Sequence, residues 1–251
     1  MNNDKIRNAV VTGASQGLGA AIAELFAAAG CKVFVNCARS VEKAQNVVDK
    51  IVAAGGDAEV FQCDIASEKE VCEKFAALEK HCGGIDILIN NAWLDPYLRT
   101  PDISDGDWFA KTIAVNLTGA YLTALAVFDG MKEQKWGRII NVSSIWAYWP
   151  ARRQMIPYSA SKAGMHALTR AFAKEGAPYN ITVNTVVPGL IITENCGKRL
   201  TPELLQAETA TVPLGRGATA EEIAEVILNT VNSGFITGEA VNVNGGAYMG
   251  N

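Results

Sequence analysis

Tyr158 and Lys162 stand four positions apart in the run Tyr-Ser-Ala-Ser-Lys, and on a helix such residues share a face. A phenol titrates near ~10 in water and is a poor acid–base group at neutral pH. A cation one turn away favours the phenolate and brings that pKa down. The pair could then hand a proton to a carbonyl oxygen, or take one from an alcohol. The same spacing also suits two solvated side chains that share a helix by accident, so the other residues must decide. A second feature is Thr12-Gly13-Ala-Ser-Gln-Gly17-Leu-Gly19, placed between an apolar run and an Ala-rich one. Strand, glycine turn and helix in that order point backbone N–H groups at a pyrophosphate, although a plain turn can have the same composition. A third is Asn116 among apolar neighbours, a poor helix-interior residue that suggests a buried polar role or a satisfied core amide. Ser143-Ser144 closes a further apolar run.

The elements that must carry these residues follow from periodicity. Strands are predicted at Asn8 to Thr12, Lys32 to Cys37, Glu59 to Cys63, Ile85 to Ile89, Arg138 to Val142, Ile181 to Val187 and Ala240 to Val243. Between them lie helices to about Ala29, over Val41 to Ala54, from near Ser67, over Asp107 to Met131 and from Pro157 to about Pro178. The last helix runs over Ala220 to Val231. Alternating β and α units predict one Rossmann-like domain over residues 1–251. Its doubly wound parallel sheet of about seven strands carries helices on both faces. Residues 190–217, rich in Gly, Pro and Thr, read as a substrate lid with a short helix from Pro202 to about Thr209.

In this fold the residues after the second strand choose the cofactor. Asn36-Cys37-Ala38-Arg39-Ser40 holds no acid to bind a ribose 2′-OH and one arginine suited to a 2′-phosphate, so NADP(H) is expected, with NAD(H) as the alternative. Arg39 could also be an exposed helix-start charge. Asp64 lies past the third strand, where it could accept from adenine N6 or cap the next helix. Asn90 ends the fourth strand beside the cofactor crevice.

Composition limits the alternatives. With 49% hydrophobic and 19% charged residues in 251, the chain is globular, and a net charge of −4 without a basic run argues against nucleic acid. Arg152 and Arg153 read as solvated loop charges. Six scattered cysteines show no metal spacing with His81 or His166 and read as reduced, so no metal is expected. Neither a leader nor an apolar run of membrane length is read, which points to the cytoplasm.

Taken together, Thr12-Gly13…Gly17-x-Gly19, Asp64, Asn90-Asn91-Ala92, Asn116, Ser144…Tyr158-x-x-x-Lys162 and Pro188-Gly189…Thr193 resemble the short-chain dehydrogenase/reductase family along essentially the whole chain. The segments Val35 to Ser40, Gly137 to Asn141 and Val212 to Arg216 resemble 3-oxoacyl-(acyl carrier protein) reductases, which are NADP-dependent homotetramers. The resemblance implies a tetrad of Asn116, Ser144, Tyr158 and Lys162. In it Tyr158 is the proton donor, Ser144 holds the substrate oxygen and Lys162 tunes the phenol and binds the nicotinamide ribose. Asn116 holds a water of a proton relay. It also implies cofactor contacts at Gly13, Ser15, Gln16, Gly17, Leu18, Gly19, Arg39, Asp64, Ile65, Asn90 and Ala92. Tyr158, Lys162, Pro188, Gly189, Ile191 and Thr193 complete that set.

This sequence departs from the pattern in ways that bear on the substrate. Trp93 stands where glycine is usual, Gln16 where arginine is common, and Asn244 where aspartate is common. The Ser144-to-Tyr158 spacing is one longer than usual, and Ser143 is the alternative serine. Tyr179 replaces an arginine that helps dock the acidic carrier, although Lys135 keeps a positive charge at the other docking position. Trp93, Trp146 and Trp149, with Tyr97 and Tyr148, are placed either against an extended or aromatic ketone or in lid and subunit packing. The expectation is an NADPH-dependent reductase of a β-ketoacyl thioester or related polyene or aromatic ketone. Its rivals are an NAD-dependent sugar, steroid or other secondary alcohol dehydrogenase, and a cofactor-binding protein without turnover. The Ala-rich second face of the Tyr158 helix suggests a further subunit, hence a homotetramer.

Overall fold

The computed structural model describes residues 5–149, 152–194, 196 and 201–250. Its centre is a seven-stranded parallel sheet in the order β3-β2-β1-β4-β5-β6-β9. The strands are β1 (Asn8–Val11), β2 (Lys32–Cys37), β3 (Asp57–Gln62), β4 (Ile87–Asn90), β5 (Gly137–Val142), β6 (Ile181–Pro188) and β9 (Ala240–Val243). β1, β4, β5 and β6 are buried at every position, as strands covered on both faces must be. A short parallel pair, β7 (Ile191–Ile192) and β8 (Ala218–Thr219), brackets the segment that contains the predicted lid helix.

Helices cover both faces. α1 (Gly17–Ala28), α2 (Val41–Ala53) and α8 (Ala220–Asn232) pack Ile22, Phe26, Val47, Ile51 and Ile227 on one side. α3 (Glu68–Cys82), α5 (Gly119–Glu133) and α6 (Ile156–Gly176) pack Phe75, Leu78, Phe128, Met131 and Phe172 on the other. α7 (Pro202–Ala210) starts on a Thr201 cap that accepts from the Leu204 N–H. The strand order reverses between β1 and β4, so the crevice at their C-terminal ends is where this fold binds ligands.

One predicted helix is not a single α-helix. The expected run from Asp107 to Met131 is α4 (Asp105–Ile113), a π-helical turn at Ala114–Thr118 and then α5. The cause sits at its middle. The fully buried Asn116 amide accepts from the Leu94 N–H at 2.7 Å and donates to Ser161 Oγ at 3.0 Å. Widened turns of this kind occur mostly at functional sites. By length and mean composition alone, Asp105–Glu133 is also apolar enough to cross a membrane, although no uninterrupted apolar run in it reaches that length. Its contacts with α3 and α6 make it a core helix of this fold. Residues 195 and 197–200 of the predicted lid, and Pro150 of the aromatic loop, lie outside the described residues.

Candidate active site

The turn after β1 is built for close approach. Gly13 (φ +63°) leaves no room for a side chain, because a Cβ would come within 2.8 Å of the Ala92 Cα. At Gly19 a Cβ would lie 2.5 Å from the Gly13 carbonyl oxygen, so helix and loop can meet only through glycine. Buried amides fix the loop. Asn91 Nδ2 donates to the carbonyls of Thr12 (2.9 Å) and Gly13 (3.2 Å), and Thr12 Oγ1 accepts from the N–H groups of Asn91 and Ala92. Asn36 Oδ1 accepts from the Gly13 N–H, while its Nδ2 reaches the carbonyls of Phe61 and Cys63 at 3.0 Å. One asparagine thus joins the ends of β1, β2 and β3.

At the end of β2 the cleft is lined by Asn36, Cys37, Ala38, Arg39 and Ser40, without a carboxylate. Arg39 is exposed there, and Lys43 on α2 donates to Gln16 Oε1 at 3.2 Å, placing a second cation beside the glycine loop. Asp64 lines the cleft but does not cap α3. Its Oδ1 accepts from the Ala66 N–H, and the cap is Ser67, which accepts from the Glu70 N–H. Glycines at the closest approaches and open backbone at the start of α1 fit the pyrophosphate of a dinucleotide, and the end of β2 offers an exposed arginine and no acid.

Across the sheet switch, Ser144, Tyr158 and Lys162 face the same cleft, which has a volume of about 1120 Å³. That exceeds the roughly 300–1,000 Å³ of a single drug-sized ligand site. α6 begins with Pro157 in its first turn, so Tyr158 and Lys162 leave the helix one turn apart. Lys162 is 2% exposed; its Nζ donates to the Val142 carbonyl at 2.7 Å and lies 5.6 Å from the Tyr158 ring centre. Burial holds the ammonium's pKa down, to about 7. Its charge therefore titrates in the working range of an enzyme. Trp93 packs edge-on against Tyr158, with ring centres 5.7 Å apart.

The two serines are distinct. Ser144 caps a short 3₁₀ turn, accepting from the Trp146 N–H, and stands in the cleft. Ser143 Oγ is committed to α6, donating to the Lys162 carbonyl at 3.0 Å with His166 Nε2 at 2.9 Å. A carbonyl only accepts, so the serine proton goes to Lys162 and the imidazole must donate from Nε2. Burial, then the nearby Arg170, hold His166 below its usual pKa.

Of the catalytic, cofactor and aromatic residues picked from the sequence, the cleft gathers all but Asn90, Asn116 and Tyr148. Asn116 stands behind it, bracing Leu94 and α6. Asn90 binds backbone at the end of β4, as expected, but does not line the cleft. Its side chain turns into the core, donating to Asn141 Oδ1 and the Ala120 carbonyl and accepting from Thr123 Oγ1. Successive residues of an extended chain point to opposite sides, and here it is Asn91 that faces the glycine loop. Arg152 is solvent-exposed, as read from the sequence, and also pairs with Glu208 of α7 at 2.7 Å on the cleft wall. The sequence reading also passed over Asn36, Lys43 and Tyr248. Tyr248 stacks on Tyr148 with centres 4.4 Å apart and is held through Asn244, whose Oδ1 accepts from the Tyr248 N–H. Only the asparagine at the end of β2, an odd polar residue in an apolar strand, left a signal.

Comparison with known proteins agrees with this arrangement. The short chain dehydrogenase family model matches residues 7–203. The chain is 37% identical to the 3-oxoacyl-[acyl-carrier-protein] reductase of Aquifex aeolicus over 242 residues, covering 95% of this chain and 96% of that one. It is also 37% identical to the acetoacetyl-CoA reductase of Rhizobium meliloti, covering 97% and 99%. Among solved structures, a putative gluconate dehydrogenase from Agrobacterium tumefaciens superposes with a TM-score of 0.88 at 32% identity, covering 96% and 95%.

Proposed function

The chain belongs to the short-chain dehydrogenase family, and on that premise we propose an NADPH-dependent ketoreductase with Tyr158 as proton donor. It is an NAD(P)-dependent oxidoreductase acting on the CH–OH/C=O pair. The substrate we favour is a β-ketoacyl thioester, carrier-bound or free, or a related biosynthetic ketone of polyene or aromatic character. One observation carries the reading: Ser144, Tyr158 and the buried Lys162 share one cleft with a glycine loop that admits a dinucleotide.

The bound dihydronicotinamide would supply the hydride to the carbonyl carbon. Ser144 Oγ donates to the substrate oxygen and orients it, and Tyr158 gives that oxygen its proton as negative charge develops. Protonated Lys162 favours the phenolate left behind. Asn116 fixes the π turn behind Lys162, where a water relay to solvent would run. Gly13, Gly17 and Gly19 would surround the pyrophosphate, with Arg39 and Lys43 at the 2′-phosphate. Asp64 and Ile65 would meet the adenine, and Ile191 and Thr193 the nicotinamide end. Trp93, Trp146 and Trp149 would flank the substrate.

We also propose a cytoplasmic homotetramer. The six cysteines are unpaired, and Ala160, Ala163, Ala167 and Ala171 lie exposed on α6, as do Phe109, Tyr121 and Leu125 nearby. A second reading, an NAD-dependent dehydrogenase of a sugar acid or other secondary alcohol, is favoured by the similarity to the gluconate dehydrogenase. Tyr179 at the carrier-docking position, with Lys132 above its ring at 5.8 Å, also favours it. The test is a panel of ketones and alcohols run with each nicotinamide cofactor, carrier-bound and free thioesters included. Faster reduction of thioester ketones with NADPH is the expected result, and preferred alcohol oxidation with NAD would transfer the case to the second reading.

A further inference from the structure

We propose that Arg152 anchors an anionic group, a carboxylate remote from the reacting carbonyl, with Glu208 as its counter-ion while the cleft awaits substrate. The inference deepens the ketoreductase reading and rests on it. Arg152 stands six residues before Tyr158, in the lengthened loop that follows Ser144. Its Nη2 meets Glu208 Oε1 at 2.7 Å, and both residues line the cleft. Tyr97 reports that the three groups converge. Burial raises its phenol's pKa, Glu208 raises it further, Arg152 lowers it and the neighbouring Asp95 raises it again.

A guanidinium offers five N–H donors in a planar fork, and among the described residues Arg152 uses only Nη2 in a hydrogen bond. The remaining donors suit a planar two-oxygen acceptor. Charge points the same way. Lys111, exposed on α4, also lines the cleft and makes no ion pair among the described residues. Asp95 at this end is buried and accepts from the Tyr97 N–H. Two exposed cations thus stand at this end beside a half-buried carboxylate, Glu208, and a buried one, Asp95. Around them the walls are apolar and aromatic, formed by Trp93, Trp146, Trp149 and Met155. A flat ketone carrying a carboxylate matches both parts of this surface.

A simple lid latch makes a different forecast. Breaking a latch from either side has the same effect, whereas removing the anchor and removing its competitor act in opposite directions on an acid. Levulinate and 4-acetylbenzoate, each beside its methyl ester, serve as probes for wild type, Arg152→Gln and Glu208→Gln with NADPH. Tryptophan fluorescence measures binding alongside turnover. The acids should be preferred over the esters by about tenfold in kcat/KM, and Arg152→Gln should raise KM for the acids by a similar factor while leaving the esters within about twofold. Glu208→Gln should lower KM for the acids, and added salt should raise it in wild type. Equal binding of acid and ester by wild type, or parallel shifts in both variants, would overturn the proposal. Arg152-dependent binding of the acids without turnover of any ketone would sink the ketoreductase reading and leave the anion site standing.

Discussion

The two ends of the cleft are built in opposite ways. At the dinucleotide end, three strand termini are joined by buried amides of Asn36 and Asn91, and Gly13 and Gly19 leave no space for a side chain. At the substrate end, the walls are loops and short 3₁₀ turns bearing partly exposed aromatics and one exposed ion pair. The first end holds an invariant ligand by backbone geometry, and the second meets a variable one through side chains that can be exchanged without disturbing the sheet. Lys162 and Asn116 stand at the joint between them.

The sharpest break is at the rigid end. Gly19→Val drives a side chain into the Gly13 carbonyl and Asn91, and NADPH affinity should fall by about a hundredfold or more in a fluorescence titration. Next comes the joint. Lys162→Met should cut turnover by about 10²–10⁴-fold. The same variant tests linkage. Folding lowers the lysine's pKa from 10.5 to about 7, so between those values the unfolded chain binds the extra proton. This group's effect on stability therefore improves as pH rises from about 7 to 10.5, and the methionine variant should lack that part of the slope in urea melts. In wild type, reduction should weaken as pH rises through the lysine's pKa in the working enzyme, because the cationic form supports the proton donor.

Asn116→Ala leaves the Leu94 N–H and Ser161 Oγ short of a partner and should cost about 2–3 kcal/mol in chemical denaturation. Arg39→Ser should weaken NADPH about tenfold with NADH unchanged, and an equal loss of both would return Arg39 to a mere surface charge. The smallest effect belongs to the exchangeable wall. Trp93→Gly should move KM by about threefold to tenfold, in a direction set by the bulk of the ketone.

That contrast also governs what the sequence reveals. Strand runs, the glycine loop and the Tyr158–Lys162 spacing are local patterns, and each can be located from a few residues. The π turn at Asn116 was visible only as an ill-fitting residue, because its cause lies in Leu94 and Ser161, far along the chain. Asn90 and Asn91 are identical in type, and only strand alternation separates a core strut from a loop brace. Arg152 and Glu208 are 56 positions apart, so no periodicity pairs them. Tyr248 on Tyr148 is a contact of the same kind.

The most direct measurement compares wild type with Tyr158→Phe, following NADPH oxidation by a reducible ketone and NADPH binding by titration. The phenylalanine keeps the ring against Trp93 and removes only the hydroxyl. Turnover should drop by about 10²-fold or more while the NADPH dissociation constant stays within about threefold. Near-normal turnover in the variant, or loss of cofactor binding in step with activity, would contradict Tyr158 as the proton donor.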